Sequence, residues 1–308
     1  MFCVANFYES LRPYAPAPPR LRRARAAMAL AALSGDEQGV IFVQLCNVLD
    51  PGVSVAFSST NSELWALTQA PRQQLKADHE AAAALCLKLG MRSCKELREA
   101  KRVGCNRGLS PDDLALLGTL GSVLPALDTL ILHEPAAGPD GVPRLAEKLG
   151  AGALPAVTYL NLYSTHVGDV GASALAAALG RGALPRLKTL DLRGAAIGDA
   201  GLVALAPALR LRPALEVLSL ASNPFGDEGL AALLAPPPAA GAPPTGGLAK
   251  LDTLYLSRTQ ITDAGCAALA SALESGALPS LKTLSLVSIP ASAAVKATVK
   301  RTGLQVHR

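Results

Sequence analysis

The hydrophobic positions of this chain recur in one phrase: LPALDTLIL, LPAVTYLNL, LPRLKTLDL, PALEVLSL, AKLDTLYL and LPSLKTLSL. Its first core positions are Leu127, Val157, Leu187, Leu215, Leu251 and Leu281, at steps of 30, 30, 28, 36 and 30 residues. A unit this small cannot bury its apolar face alone, so a sustained period in this range predicts stacked repeats sharing one continuous core. Within a unit, Leu190 and Leu192 alternate as in a short strand, sending every second side chain inward. The turn Gly198-Asp199-Ala200-Gly201 follows, then Leu202, Leu205 and Leu209 at helical steps. Asp169, Asp199, Asp227 and Asp263 share one turn position, where a carboxylate is expected to accept hydrogen bonds from amides at a helix start. A catalytic row is the rejected alternative, because carboxylates one repeat apart do not converge on one reacting atom.

Outside this period the pattern changes. Residues 33–92 read as a helical module. Val40, Ile41, Val43, Leu45, Val48 and Leu49 predict a helix stopped by Asp50-Pro51-Gly52. Val53, Val55, Ala56 and Phe57 restart it, and Leu64, Trp65 and Leu67 form a third stripe. A long helix is expected over 71–89, with Gln73, Lys76, Asp78 and Glu80 outward and Ala82, Leu85 and Leu87 inward. Residues 93–123 read as a worn first repeat that caps the stack. Leu97 lies 30 residues before Leu127, and Ser110-Pro111-Asp112-Asp113 is a strong helix start. Residues 124–308 carry the repeats and a C-terminal cap. An insertion from Pro236 to Gly247 is expected to bulge as a loop, and a last helix is expected over 291–300. Residues 1–32 are expected to be a disordered basic leader, rich in Pro from Pro13 to Pro19 and in Arg from Arg20 to Arg25. An organelle transit peptide, or sequence upstream of a start at Met28, remain the alternatives there.

Composition supports a packed core, with half of the residues hydrophobic and 17% charged. The net charge of +5 is unevenly placed: residues 1–110 hold 14 Lys/Arg against 9 Asp/Glu, and 111–308 hold 15 of each. A neutral repeat region lacks the basic surface that tracks phosphates, which argues against nucleic acid. The six cysteines form no C-x-x-C pair, and no apolar run approaches the roughly 18 residues that span a bilayer. The expectation is a soluble monomer of the cytoplasm or nucleus, with no membrane contact, cofactor or metal. No enzyme motif stands out. His79, His133, His166 and His307 lack metal-ligand spacing, and no G-K-[ST] phosphate loop occurs. Gly52-Val53-Ser54-Val55-Ala56 only faintly echoes a nucleophile elbow and sits in a helical context.

The unit from Leu187 to Leu209 resembles the leucine-rich repeat of the ribonuclease-inhibitor class, and the resemblance extends over about 124–290. It implies an α/β fold: a solenoid, or horseshoe, of parallel strands with outer helices. It also implies a concave strand face that holds a protein partner. On that face the resemblance singles out Tyr159, Asn161, Tyr163, Asp191, Arg193, Tyr255, Ser257 and Arg258. The family's Asn after the strand is met only by Asn223. Pro135, Thr165, Ala195, Thr259 and Ile289 stand elsewhere, so weaker bonding to the turn backbone is expected. The stretch 33–67 resembles an F-box through Ile41, Phe42, Leu45, Leu49, Asp50, Pro51, Val55, Phe57 and Trp65, although Leu33-Ser34 replaces the family's opening Leu-Pro. That resemblance implies a Skp-type adaptor of a cullin ubiquitin ligase docking at Leu45, Leu49, Pro51 and Trp65. The alternatives are a plain structural or regulatory repeat module, or a GTPase-activating protein of the Ran type. The latter tends to have an acidic tail, whereas this chain ends with Lys296, Lys300, Arg301 and Arg308.

Overall fold

The computed structural model describes residues 33–60, 62–105, 108–133, 138–235 and 248–308. The basic leader, Pro135 and the insertion from Pro236 to Gly247 lie outside the described residues. The chain forms two compact units, divided between Glu80 and Ala81.

In the first unit, α1 (Gly35–Leu45) opens on a capping box. The Ser34 side chain accepts from the Glu37 amide, and the Glu37 carboxylate accepts from the Ser34 amide. α1 ends at Leu45, so Val48 and Leu49 lie outside the helix expected to run to the Asp50-Pro51 break. α2 (Gly52–Ser58), α3 (Ser62–Leu67) and the long α4 (Gln69–Lys88), whose residues from Ala81 on belong to the second unit, follow as the other stripes predict. Phe42, Leu49, Leu64 and Leu75 are buried. His79 Nδ1 donates to the Val48 carbonyl at 2.6 Å, tying α4 to the link before α2. One face of α4 differs from the expectation. Ala82, Leu85 and Cys86 are buried, but Leu87 is exposed. At about 100° per residue, Leu87 lies on the opposite side of the helix from the stripe that those three define.

The second unit alternates helix and strand. Its elements are α5 (Cys94–Glu99), β1 (Arg102–Cys105), α6 (Pro111–Leu120), β2 (Thr129–Leu132), α7 (Gly138–Lys148), β3 (Tyr159–Asn161) and α8 (Gly168–Gly180). There follow β4 (Thr189–Asp191), α9 (Asp199–Arg210), β5 (Val217–Ser219), α10 (Asp227–Leu234), β6 (Thr253–Tyr255), α11 (Asp263–Glu274), β7 (Thr283–Ser285), α12 (Ala293–Thr298) and β8 (Gln305–His307). The strands form one eight-stranded sheet in sequence order. Each is parallel to the next, and Leu130, Leu160, Leu190, Leu218, Leu254 and Leu284 stand side by side in register. All six are buried, and the helices from α6 to α12 pack against one another in order. The 36-residue step before Leu251 therefore leaves the strand register intact.

Both ends depart from the sequence reading. β1 joins the sheet with Val103 opposite Leu130, an offset of 27 residues. Val103 and Cys105 thus fill the core strand positions, while Leu97, aligned by its 30-residue spacing, is a buried residue of α5. The expected start of α6 is present: Pro111 occupies the first turn, and Ser110 and Asp113 form a capping box. At the other end, α12 is shorter than expected, and β8 pairs with β7 where no strand was anticipated.

The turn aspartates do meet amides at helix starts, but those of the following repeat. Asp169 Oδ1 accepts from Gly198 N at 2.7 Å, and Asp199 Oδ1 accepts from Gly226 N and Gly229 N at 2.9 and 2.7 Å. Asp227 and Asp263 continue the series to Thr262 N and Ser292 N. This explains Gly201, Gly229 and Gly265, whose backbones pass close to the aspartate of the preceding repeat. A Cβ on Gly201 would lie 2.4 Å from Asp169 Oδ1, and one on Gly265 would lie 2.1 Å from Asp227 Oδ1. Asn223 does on the inner turn what the aspartates do on the helix side. Its Oδ1 accepts from Ala195 N and Ile197 N, and its Nδ2 donates to the Leu192, Leu220 and Ala221 carbonyls. Thr165 and Thr259 each make one local bond, to the carbonyl three residues back. At the far ends of the helices, Arg181, Arg210 and Arg212 donate to the Ala146, Ala232 and Leu179 carbonyls of neighbouring helices, complementing their negative ends.

Candidate functional site

The strand residues that alternate with the buried leucines form the other side of the sheet. Their register brings Asn161, Asp191, Ser219, Tyr255 and Ser285 into one row across β3 to β7. The turns that close β3 to β7 each take a left-handed residue at a single repeat position: Ser164, Gly194, Ser222, Arg258 and Ser288, with φ between 52° and 62°. Only one of these is glycine, so the strain that a side chain brings to this conformation is carried at the other four.

Five of the eight residues singled out on this face come together. Asn161 and Asp191 are buried, and both organise the surface from beneath. Asn161 Nδ2 donates to the Tyr159 hydroxyl at 3.1 Å, and its Oδ1 accepts from Tyr163 N at 2.8 Å. The Asp191 carboxylate accepts from Arg193 Nε and Nη2 at 2.9 and 2.7 Å, and from Arg193 N at 3.1 Å. These bonds hold Arg193 above its ordinary guanidinium value, the Asp191 hydrogen bond being the main cause, although burial opposes it. The guanidinium carbon lies 5.1 Å from the Tyr163 ring centroid. His133, absent from the singled-out set, joins the cluster edge-on: its ring centroid is 6.4 Å from that of Tyr163 at 80°. In sequence, alternation with Leu130 and Leu132 makes it one more position on this face. Its ring contact depends on the packing of β2 beside β3.

The other three residues stand apart. Tyr255 lies two strands from Asp191, with Ser219 between them. Ser257 Oγ is 2.6 Å from Ser285 Oγ, and Arg258 is exposed on its left-handed turn. Tyr163 and Tyr255 are 44% and 38% exposed, whereas the Ser219 hydroxyl is buried with no hydrogen-bond partner. The charged row beside the face pairs internally, Lys188 with Glu216 and Lys282 with Asp252.

In the helical unit, Leu49 is 3% exposed and belongs to the unit's own core. Leu45 and Pro51 are half-buried, and Trp65 is exposed. The Arg72 guanidinium stacks on the Trp65 ring at 3.2 Å and donates to the Trp65 carbonyl. Val40, Val43, Val53, Val55 and Leu67 are also exposed. Among the described residues, no group of three or more His, Cys, Asp or Glu could hold a metal ion, and no helix is long and apolar enough to cross a membrane.

A leucine-rich repeat family signature matches residues 154–176, 184–206, 213–234 and 247–270. With the sequential parallel sheet, this defines the second unit as a leucine-rich repeat solenoid. No curated protein matches the chain. Among solved structures, an internalin of Listeria monocytogenes is similar at 16% identity over 67% of this chain, with a TM-score of 0.34. The match spans 66% of the internalin chain. A yeast complex of Rad7 and Elc1 is similar at 14% identity, over 80% of this chain and 97% of that one, with a TM-score of 0.23. Likenesses this slight have no bearing on function.

Proposed function

We propose that this protein is a non-catalytic scaffold that holds a protein partner on its concave strand face, and that residues 33–67 dock a Skp-type adaptor of a cullin ubiquitin ligase. The observation that carries the first part is the cluster of Tyr159, Tyr163, Arg193 and His133, anchored from below by Asn161 and Asp191. Tyr and Arg held rigidly at the centre of an interface are typical anchors, worth about 2 kcal/mol or more each. Support for the second part is the exposed apolar set Val40, Val43, Val53, Val55, Trp65 and Leu67 on three short helices. With Leu49 in the core, the adaptor would meet Val43 and Trp65 rather than Leu49.

Affinity capture from cell lysate with three full-length proteins tests both parts. Wild type is expected to recover a Skp-type adaptor, a cullin and further proteins. A Val43→Asp/Trp65→Ser variant should lose the first two and keep the rest, and a Tyr159→Ala/Tyr163→Ala/Tyr255→Ala variant should do the reverse. Absence of ligase components from the wild-type capture would remove the ligase role and leave a plain interaction module. An unchanged partner set with the tyrosine variant would remove the strand face as the binding surface.

A further inference from the structure

The exposed apolar side chains of α1 form a stripe with an acid at its head. At about 100° per residue, Asp36, Val40 and Val43 fall within roughly 60° of one another around the helix. All three are exposed. Leu67, also exposed, borders the stripe: its Cδ1 is 3.1 Å from where a Cβ on Gly35 would stand. The surroundings are acidic, for residues 33–80 hold six Asp/Glu against two Lys/Arg. Those two cations are engaged, Arg72 on the Trp65 ring and Lys76 with Glu80 at 3.8 Å. An apolar stripe in acidic surroundings favours a partner that is both apolar and basic. A second copy does not fit that description, since pairing two such stripes sets acid against acid.

The chain carries a fitting segment itself. Residues 1–32 hold five Arg against one Glu, and the run of Arg20, Arg22, Arg23 and Arg25 is mixed with Leu21 and followed by Met28 and Leu30. That segment leads into Leu33, whose carbonyl accepts from Gln38 Nε2 at 3.0 Å, at the start of α1. Arg25 lies eight residues before Leu33, a span of up to about 28 Å, whereas α1 is about 16 Å long. A tether this short gives an effective concentration of about 1 mM, so an intrinsic Kd of about 100 μM would already fill the stripe about nine times in ten.

We infer that residues 20–32 dock on the stripe of Asp36, Val40, Val43 and Leu67 and withhold it from the adaptor. The withholding rests on the adaptor reading; the docking does not. Fluorescence anisotropy of a dye-labelled peptide of residues 17–32 with full-length proteins tests it. An Arg20→Glu/Arg22→Glu/Arg23→Glu/Arg25→Glu variant, its own leader reversed in charge, should bind the peptide saturably. Wild type, its stripe already covered, should bind at least fivefold more weakly. Val40→Asp/Val43→Asp added to the leader variant should weaken binding at least tenfold, with an unchanged circular dichroism spectrum. A scrambled peptide of the same composition should bind the leader variant at least fivefold more weakly than the native peptide. Equal binding to wild type and leader variant, indifference to the valine substitutions, or equal binding of the scrambled peptide would overturn the inference. The titration contains no adaptor, so the two readings fail separately. Ligase components absent from the lysate capture would remove the adaptor and leave the docking, and a failed titration would remove the docking and leave the adaptor.

Discussion

The two units treat apolar side chains in opposite ways. In the repeats, every leucine of the strand pattern is buried, and the turns that follow are locked by aspartate, glycine and asparagine. In the helical unit the apolar stripes are just as dense, yet Val43 is 61% and Trp65 47% exposed. Hydrophobicity is similar; geometry differs. A repeat has a neighbour on each side that completes its core, and the register of parallel strands brings equivalent leucines together. Three short helices enclose too little volume to cover all their apolar residues. Burial therefore follows from repetition, and exposure in the helical unit leaves the apolar surface proposed for the adaptor.

The contrast is broken most severely at the glycines. Gly265→Val should force Asp227 off the next turn and destabilise the repeat unit by about 3 kcal/mol or more in urea denaturation. Gly39→Ala in α1 meets nothing within 4 Å and should stabilise the helical unit by about 0.5 kcal/mol. Next comes the inner turn. Asn223→Ala orphans the Ala195 and Ile197 amides and should cost about 2–3 kcal/mol, against about 1 for Thr165→Ala, which removes one local bond.

Asp113 should have a smaller, pH-dependent effect. Burial pushes its carboxyl up, but hydrogen bonds from Lys88 and Ser110 outweigh that and hold it below the ordinary carboxylate range. A carboxyl lowered by folding contributes its full stability above the unfolded value, near pH 3.9, and loses it as pH falls through the folded value. Asp113→Asn should flatten the acid limb of the melting curve below about pH 4, and should cost about 1 kcal/mol at neutral pH as the cap and ion pair weaken. The smallest change is expected at the exposed valines. Val43→Ser and Val53→Ser should shift stability by no more than about 0.5 kcal/mol, as measured by denaturation. A larger loss would place them in a core and remove them from the surface proposed for the adaptor.

Much of this was readable along the chain because the signals are local. The Leu-x-x-Leu-x-Leu phrase states strand and helix phase in each unit, and its near-constant step leaves one way to align neighbours. Ser110 to Asp113 announces a helix start through contacts three residues apart. Where the repeat wears away, the signal goes with it. Spacing alone aligned Leu97 with Leu127 at 30 residues, whereas the backbone pairs β1 with β2 at 27; β8, too short for its own periodicity, went unseen.

Pattern also named the strand-face positions, since alternation requires that residues between core leucines point away. It did not say which of them meet. That Arg193 turns to Asp191, that Asn161 sinks beneath Tyr159 and Tyr163, and that His133 stands against Tyr163 are relations between side chains on different strands or at alternating positions. Likewise each turn aspartate serves the helix of the next repeat, 27 to 35 residues away. Periodicity carries the fold because each repeat restates it. Donor, acceptor and exposure are settled only when neighbouring repeats come into contact, since every such bond has one end in another unit or depends on the space that unit leaves.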